Sequence, residues 1–170
     1  MTIPEREEEP VAIASPIPIE IQQKKVQQDN GRWEGRRNSR GEREGKGTYV
    51  WPTGKMYVGC WDNDMMNDEE GVMTWMDGKR YEGCFVDNKR DGKGISTKKD
   101  GRKYEGNWKN DKPNGLGEET WPDGKKYEGE FVDGQKEGRG KLTYPDGRVY
   151  DGMWKQGKKH GIGKEIWANG

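Results

Sequence analysis

The stretch YEGNWKNDKPNGLGEETWPDGKK, residues 104–126, holds three aromatic rings, four glycines and one aliphatic residue, Leu116, and the chain then begins again with Tyr127-Glu128-Gly129. Tyr104, Gly106 and Trp108 stand at i, i+2 and i+4, so they share one face of a strand while Glu105 and Asn107 face the other way. The segment KNDKPNG that follows is polar and rich in turn formers. A second strand around GEETW ends in another ring, and PDG closes it as a turn. The unit therefore reads as a β-hairpin with a ring on each arm. Gly106 and Gly117 are expected to leave room for rings of adjacent units to lie across the backbone. One such hairpin is marginal in water, but stacked copies bury their rings against one another.

The copies are present. Unit starts recur at Tyr57, Tyr81, Tyr104, Tyr127 and Tyr150, at spacings of 23 or 24 residues, with a degenerate start at Trp33. Gly47, Gly71, Gly94, Gly117, Gly140 and Gly163 keep the same register, as do the turn pairs from Thr53-Gly54 to Asn169-Gly170. Six units in register describe a repeat protein, in which each unit packs on its neighbours and no large central core is needed. The departures are informative. Repeat one has Arg37 in place of a ring, as suits a cap. Repeat two has Glu69 at the first of the paired glycines. Repeat three has Lys98 where the others carry Trp or Tyr, so its second strand is expected to pack less well.

The pattern Y-x-G-x-[WF], followed by G-x-G and then [WY]-x-D-G, resembles the MORN repeat (membrane occupation and recognition nexus) over residues 31–170. The resemblance implies an all-β fold, an elongated single-layer array of stacked antiparallel β-hairpins. At two strands per repeat and ~4.8 Å per strand, each unit would advance about 10 Å. The resemblance also implies a non-catalytic scaffold or adaptor in a multi-subunit cytoskeletal or ciliary assembly, with a homodimer among the options. Peripheral attachment to acidic phospholipids and service as the regulatory module of a partner enzyme are the alternatives it leaves open. A ring-lined surface suits an extended or helical partner segment. Its expected contacts are Tyr57, Trp61, Trp75, Tyr81, Phe85, Tyr104, Trp108, Trp121, Tyr127, Phe131, Tyr144, Tyr150, Trp154 and Trp167.

Composition agrees with a repeat array. Only 28% of the 170 residues are hydrophobic and 36% are charged, a lean mixture that suggests disorder when taken alone. Yet all 27 glycines lie beyond residue 30, and every ring lies beyond residue 32. Residues 1–30 carry six acidic and three basic groups, leaving 25 acidic and 28 basic in the repeats. So even a balance speaks against an anionic membrane surface or nucleic acid as partner, both of which favour clustered Lys and Arg. Aromatic and basic residues interleave as in single-strand binders, but here the rings follow a structural period. No apolar run is long enough to span a bilayer, and the acidic start EREEE suits no transit peptide, which makes the cytosol the expected compartment.

Before the repeats, prolines at 4, 10, 16 and 18 exclude a long helix ahead of Ile19. Ile17, Ile19 and Ile21 alternate, as in an extended segment with one apolar edge. Two readings stand: a disordered leader, or an arm that docks on a sheet or partner through these isoleucines and orders only there.

Catalytic material is scarce. The one histidine, His160, sits at a polar turn position equivalent to Asn114 and Glu137, with no second histidine for a metal pair or a nucleophile dyad. Cys60 and Cys84 occupy the same slot two strands apart, ~10 Å by strand spacing and beyond disulfide reach. They are expected as thiols on the face opposite the rings. GEREGK lacks the Ser or Thr of a phosphate loop and no helix follows it. No pair of carboxylates stands out as an acid–base dyad. The expectation is no enzyme, no metal and no cofactor.

Overall fold

The computed structural model describes residues 30–167. The segment with Ile17, Ile19 and Ile21, and the last turn pair Asn169-Gly170, lie outside the described residues. Repeat one supplies β1 (Arg32–Arg37) and β2 (Arg43–Val50), and repeat two β3 (Met56–Asp62), β4 (Met65–Met66) and β5 (Asp68–Thr74). Repeats three and four supply β6 (Arg80–Val86), β7 (Lys89–Thr97), β8 (Lys103–Lys109) and β9 (Lys112–Thr120). Repeats five and six supply β10 (Lys126–Val132), β11 (Gln135–Thr143), β12 (Val149–Lys155) and β13 (Lys158–Ile166). Sequence neighbours are sheet neighbours throughout, with β4 paired to β3 off the main path. All pairings are antiparallel, so the chain is an open, elongated array of β-hairpins, as its repeat predicts.

The hairpin turn is tighter than its sequence suggests. KNDKPNG is not a loop: β8 runs to Lys109, Asn110 and Asp111 make the whole turn, and β9 starts at Lys112. Asn110 and Asp111 take φ of 47° and 68°, the left-handed pair that matches the twist of a two-residue hairpin. Pro113 consequently lies inside a strand, facing Trp108 across the ladder. Between the pairs Trp108–Pro113 and Gly106–Gly117, β9 carries two residues more than β8, a bulge centred on Gly115 at φ +89°. Repeat two has Glu69 at that position, outside the left-handed region, and there the second strand is split into β4 and β5. Asp68 fills the break, its carboxylate accepting from the backbone N–H groups of Cys60 and Glu70.

The paired glycines serve chiefly the ring of their own repeat; Gly71 alone among them also meets a neighbour's ring, Phe85. A Cβ on Gly117 would lie 2.5 Å from the Tyr104 hydroxyl, and one on Gly106 2.7 Å from the same atom. Tyr81 covers Gly94, Tyr127 covers Gly140 and Tyr150 covers Gly163 in the same way. From there each phenol donates a hydrogen bond to the carbonyl three residues on, as Tyr104 does to Asn107 at 2.8 Å. Gly117→Ala must therefore push a buried ring aside and is expected to cost about 3 kcal/mol, the upper end for overpacking. Gly124→Ala, at φ +88° in a turn with no atom within 4 Å, should lose only about 1 kcal/mol to backbone strain. Equal shifts of the two urea midpoints would contradict the ring-over-glycine packing.

Candidate partner-binding face

Repetition places all the rings on one face of the sheet, where they form a continuous chain of edge-to-face contacts. Trp33 meets Trp61, Trp61 meets Tyr57, Tyr57 meets Phe85 and Phe85 meets Tyr81. The chain continues through Trp108, Tyr104, Phe131, Tyr127 and Trp154 to Tyr150. Each Trp or Phe in the middle of a first strand stands between its own tyrosine and the ring of the preceding repeat. These contacts use the rings up. Tyr57, Trp61, Tyr81, Phe85, Tyr104, Trp108, Tyr127, Phe131, Tyr150 and Trp154 are all buried within the sheet. Expected as partner contacts, they form the floor of this face, covered by their neighbours except at repeat three, where Tyr104, Trp108 and Phe131 line a cleft.

The other four expected contacts, at the turns, differ. Trp75, Trp121 and Tyr144 are only partly buried against the core, and Trp167 is 53% exposed. Trp51 belongs with them, and Tyr49 joins the floor at an edge-to-face distance of 4.6 Å from it. Reading repeat one as a degenerate cap had left these two out.

A second set of residues was missed altogether: cations stacked on the rings. Arg43 lies 4.4 Å above the Trp61 ring, Arg90 4.3 Å above Trp108, and Lys159 4.5 Å above Tyr150. Lys136 sits 4.5 Å from Trp121 and 4.9 Å from Tyr127. At the turns Lys125 and Arg148 cover Trp121 and Tyr144 at 4.5 and 4.6 Å. Arg43, Arg90, Lys136 and Lys159 hold one repeat position, just after the hairpin turn, where repeats two and four have Met66 and Pro113. The recurrence is visible in the sequence, but the stacking depends on the bulge, which realigns this position opposite the Trp or Phe.

At repeat three the face opens. A cleft of ≈ 440 Å³ lies where Lys98 replaces a ring, bounded by Trp75, Tyr104, Trp108, Pro113 and Phe131. The backbone of its turn is the same as in the other repeats. Lys98 N–H donates to the Arg102 carbonyl and the Lys98 carbonyl accepts from Gly101 N–H, as the same groups of Trp121 do with Lys125 and Gly124. Only the side chain has changed, and the looser packing expected of this repeat takes the form of a cleft. Ser96 and Glu119 line it, in a column that holds Tyr49, Met73 and Leu142 in repeats one, two and five and Glu165 in repeat six. Glu119 is held by Lys136 at 2.7 Å, with both side chains mostly buried.

The opposite face holds two concavities of similar volume, ≈ 470 Å³ beside Lys46, Val58 and Glu70 and ≈ 450 Å³ beside Glu82, Ile95 and Glu105, and neither is walled by rings. Cys60 and Cys84 are free there. Burial and the neighbouring Asp68 push the Cys60 thiol up, away from the reactive thiolate. His160 is exposed on β13. Among the described residues no cluster of His, Cys, Asp or Glu is placed to hold a metal ion.

The MORN repeat pattern matches residues 39–56, 81–101, 104–126, 127–147 and 150–170, over half of the chain. The match passes over 57–80, which is repeat two with its broken second strand, and over the first strand of repeat one. No curated protein matches the sequence. Among solved structures, the chain is similar to the SAS-4 (dCPAP) TCP domain of Drosophila melanogaster, in complex with a proline-rich motif of Ana2 (dSTIL). The TM-score is 0.53 at 14% identity, covering 99% of this chain and 83% of that chain. At that identity the likeness is one of fold.

Proposed function

The chain belongs to the MORN-repeat family, and on that premise we propose that it is a non-catalytic scaffold holding an extended segment of a partner protein along its ring-bearing face. The observation that carries this reading is the row of turn rings, Trp51, Trp75, Trp121, Tyr144 and Trp167, left partly open and, in all but Trp75, beside a stacked cation. Exposed cation–ring pairs contribute about 0.5–1 kcal/mol each and more once a ligand excludes water. Rings already fixed by the sheet lose little freedom on binding, so most of the contact energy is kept. An extended segment suits the row because it meets the turn rings one repeat at a time. The bound proline-rich motif in the SAS-4 complex supports this choice by analogy of fold. A cytoskeletal or ciliary assembly is the setting proposed with it.

A photoreactive phenylalanine placed at Trp121 or Tyr144 should crosslink to the partner in native extracts, while one at Val132, on the opposite face, should not. Crosslinks from Val132 alone would move the interface to the other side of the sheet and end this reading.

A further inference from the structure

The cleft at Lys98 has a shape and a charge of its own. In five repeats the residue that opens the turn is Trp or Tyr; in repeat three the same turn backbone holds Lys98. The cleft is thus a ring-sized vacancy with aromatic walls, Trp75 on one side and Tyr104, Trp108 and Phe131 beneath. Its cations are unequally satisfied. Arg90 is paired with Asp111 at 3.1 Å and Lys79 with Asp77 at 2.8 Å. Arg80 and Lys103 pair with Glu82 and Glu105.

Two cations remain. Lys98 is exposed, and its ammonium group makes no hydrogen bond or ion pair among the described residues. Arg102 approaches Asp100 and Glu119 only to 3.6 and 3.7 Å, too far for hydrogen bonds, and its buried Nε has no acceptor. Glu119 is no remedy, because its closer partner is Lys136. The site offers an apolar hole beside two cations without a full complement of acceptors.

We infer that this cleft is a specificity pocket for an extended partner segment in which an aromatic side chain lies next to a carboxylate. The ring takes the place left by the missing Trp or Tyr and stacks edge-to-face on Trp75 and Tyr104. The neighbouring Asp or Glu accepts from Lys98 and the Arg102 guanidinium, a charge-assisted contact that the chain itself does not supply. The inference rests on the ring-bearing face being the docking face and names the feature of the segment that anchors it.

The test uses the full chain and short random peptides displayed on phage, with enriched peptides titrated by fluorescence anisotropy. Enrichment of Trp, Phe or Tyr adjacent to Asp or Glu is expected. Lys98→Trp, which restores the ring of the other repeats, should weaken binding at least tenfold while the melting temperature holds or rises. A folding defect is therefore not what removes the affinity. Arg102→Gln, and replacement of the peptide's acid by its amide, should each cost severalfold. Enriched peptides without an acid, or undiminished binding to Lys98→Trp, would overturn the inference. So would self-association in sedimentation velocity that Lys98→Trp abolishes, since the cleft would then be occupied by a second copy. If peptides bind Lys98→Trp as well as the parent and still crosslink from position 121, only the pocket fails. If they crosslink from Val132 instead, the docking face fails with it.

Discussion

Raising the pH from 10 to 12 is expected to unfold the array in one steep transition. Tyr57, Tyr81, Tyr104 and Tyr127 are buried, and burial pushes all four phenols above their usual value, Tyr104 to about 12. Nearby Asp68, Cys84, Glu119 and Glu130 are the foremost neighbours acting in the same direction on Tyr57, Tyr81, Tyr104 and Tyr127 respectively. Each hydroxyl also donates to a backbone carbonyl, at 2.8–3.2 Å, and an ionised phenol has no proton to donate. Because the folded values lie above the unfolded value of about 10, this contribution is fully present below pH 10. It is lost as pH rises toward the folded values, where the unfolded chain gives up protons that the folded chain keeps. The slope is at most about 1.4 kcal/mol per pH unit for each tyrosine. Four acting together can exhaust a stability of roughly 5–15 kcal/mol within one to three units. Tyrosinate absorbance and near-UV circular dichroism should change together, and Tyr81→Phe should make the transition shallower. Gradual ionisation with the near-UV signal intact through pH 12 would refute the buried-phenol account.

Those tyrosines show how far the sequence reads and where it stops. That Tyr104, Gly106 and Trp108 share a face follows from strand alternation alone, and six copies at a 23–24-residue period leave little choice of architecture. Alternation does not say which ring lies over which glycine. Tyr104 reaches forward along its own strand to cover Gly117, a matter of strand geometry that one-dimensional spacing does not carry. Pro113 and Gly115 read as loop because proline and glycine are disfavoured in central strands. The Asn110-Asp111 pair before them is a tight-turn signal in its own right, and repeats two and three repeat it as Asn63-Asp64 and Asp87-Asn88. Taking these pairs as the whole turn would have placed the following residues in strand and exposed the bulge.

The functional reading was harder for a related reason. Rings that recur without aliphatic neighbours must serve as each other's core, so the most conspicuous residues are the least available to a partner. What stays partly open on that face is the row of turn rings and the cleft where Lys98 stands in place of one. Lys98 was legible as a departure from the repeat. That it opens a cleft rather than being covered by its neighbours depends on Ser96, two residues before it on the same face, and on Glu119, which only the sheet register brings beside it.

Trp108→Ala is expected to cost about 3–5 kcal/mol, as large-to-small changes of a buried ring do. Trp108 is 5% exposed and stands edge-to-face between Tyr81 at 5.1 Å and Tyr104 at 5.2 Å, the link that joins repeat three to repeat four. Its indole N–H donates across that junction to the Gly94 carbonyl at 3.1 Å, and Arg90 covers its outer surface. Truncation removes all of these at once and leaves the buried Gly94 carbonyl without the indole donor. In an array held together by nearest-neighbour interfaces, weakening a central one lowers cooperativity as well as stability. The urea transition should therefore move to lower concentration and broaden, or divide into two steps as the halves uncouple. Trp33→Ala makes the contrast. Trp33 is only partly buried and meets one ring, Trp61 at 5.4 Å, at the end of the ring chain. Its loss frays repeat one and leaves five repeats stacked, so a smaller shift with an undivided transition is expected. Equal losses from the two substitutions would mean that repeat one is no cap and that the ring chain is as strongly coupled at its end as at its centre.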